Sequence, residues 1–187
     1  MSTPKKVATL VGSVRKASLS KKLALHLQSL APCGLQLEIV DLGNLPLFNP
    51  DEEAAPPSQW VSFREQVSRS DAVLFITPEY NRSIPAALKN AIDIGSRPYG
   101  QSVWNAKPGA IISLSPGALG AFGANHHLRQ SLVFLNVPTL QQPEAYIGNA
   151  EKLFDDSGSL VPATQDFAIT YLRVFEQWIN SNITLPE

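Results

Sequence analysis

Nine residues near the N-terminus, GSVRKASLS (Gly12–Ser20), place three hydroxyls, Ser13, Ser18 and Ser20, beside the guanidinium of Arg15. They stand between an apolar run and a leucine-marked helix, so their position is the start of that helix. A helix start offers unpaired backbone N–H groups and a partial positive charge, which favour an anion. Arg15 adds a charged fork whose geometry matches phosphate oxygens. Four such donors in nine residues suit a phosphate monoester. The segment carries neither G-x-x-x-x-G-K-[ST] nor G-x-G-x-x-G, which argues against an ATPase-type or dinucleotide-fold loop. The plainer alternative is a helix cap at Ser18 or Ser20 and an unrelated surface arginine. A cap explains one serine but not three with an arginine.

Two further stretches have the composition of a binding turn. In TPEYNRSIPAALKNAID (Thr77–Asp93), Pro78 ends an apolar run and presents Glu79, Tyr80 and Asn81. A proline there turns the backbone outward, and a rigid turn can offer N–H and C=O groups to the edge of a flat heteroaromatic ring, with Tyr80 beside its face. The alternative is an ordinary turn with Ser83 as the cap of the next helix and Pro85 in its first turn. In SPGALGAFG (Ser115–Gly123), three glycines permit close backbone approach, and Ser115 can donate to negative charge developing on a ring. Taken alone, that loop also reads as a flexible surface connection.

The elements that must position these loops follow from pattern. KKVATLV (Lys5–Val11), LQLEIVD (Leu35–Asp41), DAVLFIT (Asp71–Thr77) and KPGAIISLS (Lys107–Ser115) read as strands, and VPTLQQ (Val137–Gln142) as a short fifth. Leu19, Leu23, Leu27 and Leu30 mark a first helix closed by Gly34; Trp60, Phe63 and Val67 mark a second; Ile84, Leu88 and Ile92 mark a third closed by Gly95. A fourth lies around Asn125–Leu135, and Phe167, Tyr171, Val174, Phe175 and Trp178 stripe a last one. Between Leu42 and Ser58 runs a long loop with five prolines and glycines and three consecutive acids.

Alternating strands and helices, with strands continuously apolar, indicate an α/β fold: a doubly wound sheet of five parallel strands covered by helices on both faces. Ligands of such sheets sit beyond the C-terminal strand ends where the strand order reverses, which selects the same three loops. Together they provide a phosphate end and a ring end, which fit a mononucleotide-like ligand with a flat polar ring, FMN first among them.

Composition bounds the remaining classes. With 187 residues and no internal repeat or linker, one domain over residues 1–187 is expected. The net charge of -1 gives no general case for nucleic acid or a membrane surface. Its distribution is uneven: no Asp or Glu precedes Glu38, while Lys5, Lys6, Arg15, Lys16, Lys21 and Lys22 do. The first strand–loop–helix unit is therefore electropositive. Cys33 is the one cysteine, so no intramolecular disulfide can form, and it and His26 read as structural. The N-terminal apolar run is too short for a signal peptide, and no run reaches the roughly 18 residues of a membrane span. A cytoplasmic protein is expected. His126 and His127 are adjacent rather than metal-spaced, so no metal site is expected.

GSVRKAS, PEYNRSIPAALKNAID and SPGALGAFGANHHLRQ resemble the signature segments of the NAD(P)H-dependent FMN reductases, in the bacterial quinone and chromate reductase branch with a flavodoxin-like fold. The likeness runs from about Val7 to Gly148. It departs at Ser20, where the family pattern usually has asparagine. The resemblance implies strand order 2-1-3-4-5 and bound FMN carrying electrons from NADPH or NADH to quinones, flavins, chromate or another small acceptor by a ping-pong mechanism. It implies cofactor contacts from Gly12, Ser13, Arg15, Ser18, Leu19 and Ser20 at the phosphate and ribityl tail. Pro78, Glu79, Tyr80 and Asn81 would contact the isoalloxazine, and Ser115 and Gly117 its pyrimidine side. No catalytic side chain is required, because the cofactor carries the chemistry. A homodimer or homotetramer is implied, with Arg82, Arg129, Glu144 and Tyr146 as candidate interface residues. The rival readings are a flavodoxin-type electron carrier, an FMN-binding regulatory module and a scaffold protein.

Overall fold

Strand β1 (Lys5–Val11) is buried over its last five residues and pairs in parallel with β2 (Leu35–Val40) on one side and β3 (Ala72–Thr77) on the other. The computed structural model describes residues 3–183. Beyond β3 lie β4 (Gly109–Leu114) and β5 (Ala145–Ile147), giving one all-parallel sheet of order β2-β1-β3-β4-β5. Parallel neighbours need long crossovers, and helices supply them: α1 (Leu19–Leu30), α2 (Ser58–Ser68), α3 (Ala86–Gly95) and α4 (Phe122–Phe134). Helix α5 (Pro162–Asn182) follows β5 and closes the fold.

The continuous apolar strands divide between two cores by simple alternation, since successive side chains point to opposite faces. Val7, Leu74, Ile76 and Ile112 meet Leu23 and Leu27 of α1 and Leu172, Phe175 and Ile179 of α5. Ala8, Leu10, Val73, Phe75 and Ile111 meet Trp60 and Phe63 of α2, Leu88 and Ile92 of α3 and Leu128 of α4. The α5 core is tied to the sheet by Tyr171, whose buried hydroxyl donates to the Ile111 carbonyl at 2.9 Å. One polar group does not fit this pattern. Thr9, in the middle of β1, is wholly buried and its Oγ1 has no hydrogen-bond partner.

The fifth strand differs from the sequence expectation. VPTLQQ pairs with the sheet at a single bridge, Thr139 opposite Gly109 at the start of β4, made through the Pro138 carbonyl and the Leu140 N–H. Pairing resumes only at Ala145–Ile147, opposite Ile112–Leu114. Pro143 falls within the break and has no N–H to give to a ladder, whereas Pro138 lies before it and accepts from Gly109 N–H. Helix α4 also begins earlier than its apolar pattern, at Phe122, because Gly123 in its first turn is a poor helix former and hides the boundary.

Candidate functional site

The sheet order reverses at β1 and β3, and at their C-terminal ends the first and second loops touch. A Cβ on Gly12 would stand 2.9 Å from Thr77 Oγ1, 3.2 Å from Pro78 Cδ and 3.3 Å from Leu88 Cδ2. Only a residue without a side chain lets β1 turn this close to the end of β3. Gly12 N–H donates to the Ile76 carbonyl at 2.9 Å, and Thr77 Oγ1 donates to the Pro78 carbonyl at 2.8 Å.

From Gly12 the chain opens outward. Ser13 is half-buried, and Val14, Arg15, Lys16 and Ala17 are exposed. Neither Ser13 nor Arg15 pairs with another side chain among the described residues. Ser18 is the N-cap of α1: its Oγ accepts from Lys21 N–H at 3.1 Å. The capping alternative is thus correct for Ser18, whose hydroxyl proton remains available to donate. Ser20 is buried in the first turn and Leu19 is partly buried beside it. That turn holds Lys21 and Lys22 and no acid. Lysines at the positive end of a helix are electrostatically unfavourable alone, and an anion beyond the helix start reverses the sign.

The second loop is rigid. Tyr80 and Ser83 exchange two backbone hydrogen bonds, 3.1 Å and 3.0 Å, around Asn81 and Arg82. Both of those residues have positive φ, 51° and 64°, as a two-residue primed turn requires. Asparagine tolerates this; arginine does so with strain. Ser83 does not cap α3, as the plain reading of the sequence expected. Pro85 occupies the cap position, and Ser83 Oγ lies 3.0 Å from His127 Nδ1. Tyr80 is half-exposed at the tip.

Glu79 joins this turn to the third loop. Its side chain is only 12% exposed, and Oε2 accepts the backbone N–H of Ala124 at 3.0 Å in the first turn of α4. Helix α4 has no cap of its own, since Ala121 precedes it with φ 60°. Glu79 thus acts as a cap from 45 residues away in the chain. Arg82 closes over it, Nη1 to Oε1 at 3.5 Å. Gly123 makes room: a Cβ there would stand 2.9 Å from both Glu79 Oε2 and the Arg82 carbonyl.

The third loop is pinned rather than flexible, contrary to the plain reading of its glycines. Ser115 N–H donates to Ile147 O, Ala150 N–H to Ser115 O, and Asn149 N–H to Gly117 O. Ser115 Oγ itself donates to Gly117 O at 3.0 Å. A Cβ on Gly120, at φ 58°, would lie 2.5 Å from the Tyr146 carbonyl carbon, and one on Gly148 would lie 2.4 Å from Ala118 O. The loop therefore lies directly on the backbone at the end of β5. Beside it, Tyr146 donates to Glu144 at 2.8 Å and meets His126 Nε2 at 3.1 Å; burial and the Glu144 carboxylate raise the phenol above its ordinary pKa. Arg129 is held internally by Asn125 and the Leu140 carbonyl.

The sequence-derived residues thus gather at one edge of the sheet, with Glu79 facing α4. The residues missed by sequence reasoning are Thr77, Gly120, Gly123 and Gly148, and only the glycines left a signal, as repeated small residues in the loops. Among the described residues no group of three His, Cys, Asp or Glu side chains could hold a metal ion, and no helix is long and apolar enough to cross a membrane.

The family model described as NADPH-dependent FMN reductase matches residues 5–152. A quinone reductase of Pseudomonas putida is 58% identical over 183 residues, covering 97% of this chain and 98% of the relative. A 2-hydroxy-1,4-benzoquinone reductase of a Burkholderia species is 43% identical over 175 residues, 93% of this chain and 96% of that protein. Among solved structures, the flavoenzyme NAD(P)H:(acceptor) oxidoreductase FerB of Paracoccus denitrificans superposes with a TM-score of 0.88 at 41% identity, covering 95% of this chain and 98% of that one.

Proposed function

This chain belongs to the NADPH-dependent FMN reductase family, and from that premise we propose that it reduces small quinones with electrons from NADPH or NADH, with free flavins and chromate as further acceptors. The observation that carries the reading is the joining of the first two loops. An electropositive helix start with unpaired Ser13 and Arg15 lies against a rigid, backbone-lined turn, through the contact that Gly12 permits at Thr77 and Pro78. A phosphate-bearing flat ring is what both ends would hold.

When bound, FMN supplies the two-electron chemistry between nicotinamide and acceptor. The chain's own residues bind and orient. Arg15, Ser13, the Ser18 and Ser20 hydroxyls and the free N–H groups of α1 hold the phosphate and tail, with Leu19 beside them. Pro78, Tyr80 and Asn81 meet the ring, and Glu79 fixes their turn against α4. Ser115 and Gly117 would lie at its pyrimidine side, where Ser115, contrary to the sequence expectation that it donates to the ring, spends its N–H on Ile147 O and its hydroxyl on Gly117 O and so shapes the loop. Donor and acceptor use the same open face in turn, so the kinetics are ping-pong.

The working form is a homodimer or homotetramer. Val133 and Phe134 at the end of α4 are 78% and 89% exposed. Apolar residues so exposed mark an association face. The exposed thiol of Cys33 suits the reducing conditions of the cytoplasm.

The test is the absorbance spectrum of the pure protein, supplemented with FMN if needed, before and after anaerobic NADPH or NADH. Flavin bands that bleach with nicotinamide and return with benzoquinone are expected. Bands that ignore nicotinamide would leave a one-electron carrier instead. Double-reciprocal plots should be parallel, and intersecting lines would replace the ping-pong scheme with a ternary complex.

A further inference from the structure

Away from the three loops, α2, the end of α3 and the connection from α3 to β4 enclose a groove of about 610 Å³. Its lining includes no residue of Gly12–Ser20, Pro78–Ser83 or Ser115–Gly123. Its volume lies in the range of small-molecule sites, roughly 300–1,000 Å³. Phe48, with Val61, Pro98 and Val103, forms an apolar floor, and Trp60, only 3% exposed, backs Phe48 at a ring-centroid distance of 5.5 Å. That floor is fixed: Trp60 Nε1 donates to the Pro46 carbonyl at 3.0 Å, and Phe48 N–H donates to Asn90 Oδ1 at 2.8 Å.

Three guanidinium groups stand on the walls, and their partners differ. Arg97 faces the Glu53 carboxylate, Nε to Oε1 at 3.6 Å, and Arg69 pairs with Glu65 at 3.1 Å. Arg64 has no carboxylate within ion-pairing distance among the described residues. Its one bond is from Nη2 to the Gln101 carbonyl at 3.1 Å. Burial lowers its pKa below the usual value, against the opposing pull of Glu53. Arg64 keeps four of its five N–H donors free of protein partners among the described residues, and a carboxylate in the groove can replace water on them. Three arginines against two glutamates leave the walls at a net +1.

We propose that this groove is a second ligand site, separate from the flavin site, that binds a planar aromatic monocarboxylate with its ring on Phe48 and Val61 and its carboxylate on Arg64. A planar fork matches a carboxylate in two parallel hydrogen bonds. The charge balance selects a monoanion, because Glu53 and Glu65 oppose a second negative charge. The apolar floor selects a ring over a small polar acid. The inference does not depend on the FMN reading, as no residue is shared.

The test uses FMN-loaded protein, with 2-naphthoate and its neutral counterpart 2-naphthamide as probes. Binding is followed by calorimetry and by the NMR resonance of the Trp60 indole N–H. A saturable, one-site shift of that resonance is expected for naphthoate, about tenfold weaker for the amide. Arg64→Gln, at a half-exposed position, should lower naphthoate affinity about tenfold, leave the amide unchanged and leave NADPH turnover at its original rate. Arg64→Lys should fall between, since it keeps the charge and loses the fork. No shift at Trp60, equal affinity for acid and amide, or an unaffected Arg64→Gln variant would each overturn the proposal. Displacement of naphthoate by quinone would also overturn it, placing the ligand in the flavin site.

Discussion

At the ring end of the site the polar contacts are made within the chain: Glu79 reaches the α4 backbone, Ser115 its own loop, and Gly120 and Gly148 let that loop rest on β5. At the phosphate end, Ser13 and Arg15 extend from a helix start whose first turn carries two lysines and no acid. The ring end is therefore preorganised by packing, and its binding cost is largely met during folding. The first loop is preorganised mainly by charge, and on the function proposed above an anion completes it. Substitutions at the ring end should act through stability, those at the first loop through ligand affinity.

The largest effect is expected from Gly120→Ala. Its positive φ and a Cβ 2.5 Å from the Tyr146 backbone combine strain with overlap, for a loss of about 3 kcal/mol or more in denaturant unfolding. A variant of unchanged stability would remove the claim that the third loop is pinned. Arg15→Ala tests the opposite end. FMN affinity should fall about 10- to 100-fold, the worth of a charge-assisted contact, while apoprotein stability changes by less than about 0.5 kcal/mol. Equal loss of stability and affinity would erase the contrast between the ends. Glu79→Ala should cost about 1–2 kcal/mol of stability by uncapping α4, with a smaller effect on FMN affinity than Arg15→Ala. A control outside both ends is Thr9→Val, which removes the orphaned buried hydroxyl. It should be neutral or stabilise by about 1 kcal/mol, and clear destabilisation would mean that the hydroxyl has a partner.

The layout of strands and helices was legible in the sequence because buried parallel strands are continuous apolar runs and helices repeat at their own period. The fifth strand was not. Pro143 divides the segment, and the pairing residues Ala145–Ile147 are too few to form a pattern. The convergence of the three loops was legible too, since residues beyond strand ends in this fold meet at the reversal of strand order. The joints between loops were not. The cap that Glu79 gives α4 spans 45 residues, and the approach of Gly12 to Thr77 and Pro78 is a property of neighbouring strands. Local pattern can show that a glycine is present, but not what backbone lies against it. Arg82, a candidate interface residue by the family resemblance, closes over the Glu79 carboxylate from the strained position of the turn.

The central claim, that an anion-seeking helix start and a preformed ring turn hold one ligand between them, is tested most directly by comparing FMN with riboflavin. Riboflavin keeps the ring and lacks the phosphate. Titrated into apoprotein by fluorescence quenching, FMN should bind about a hundredfold more tightly than riboflavin, by a margin that shrinks with added salt and in Arg15→Ala. Equal affinities for the two, insensitive to salt and to Arg15, would contradict the account.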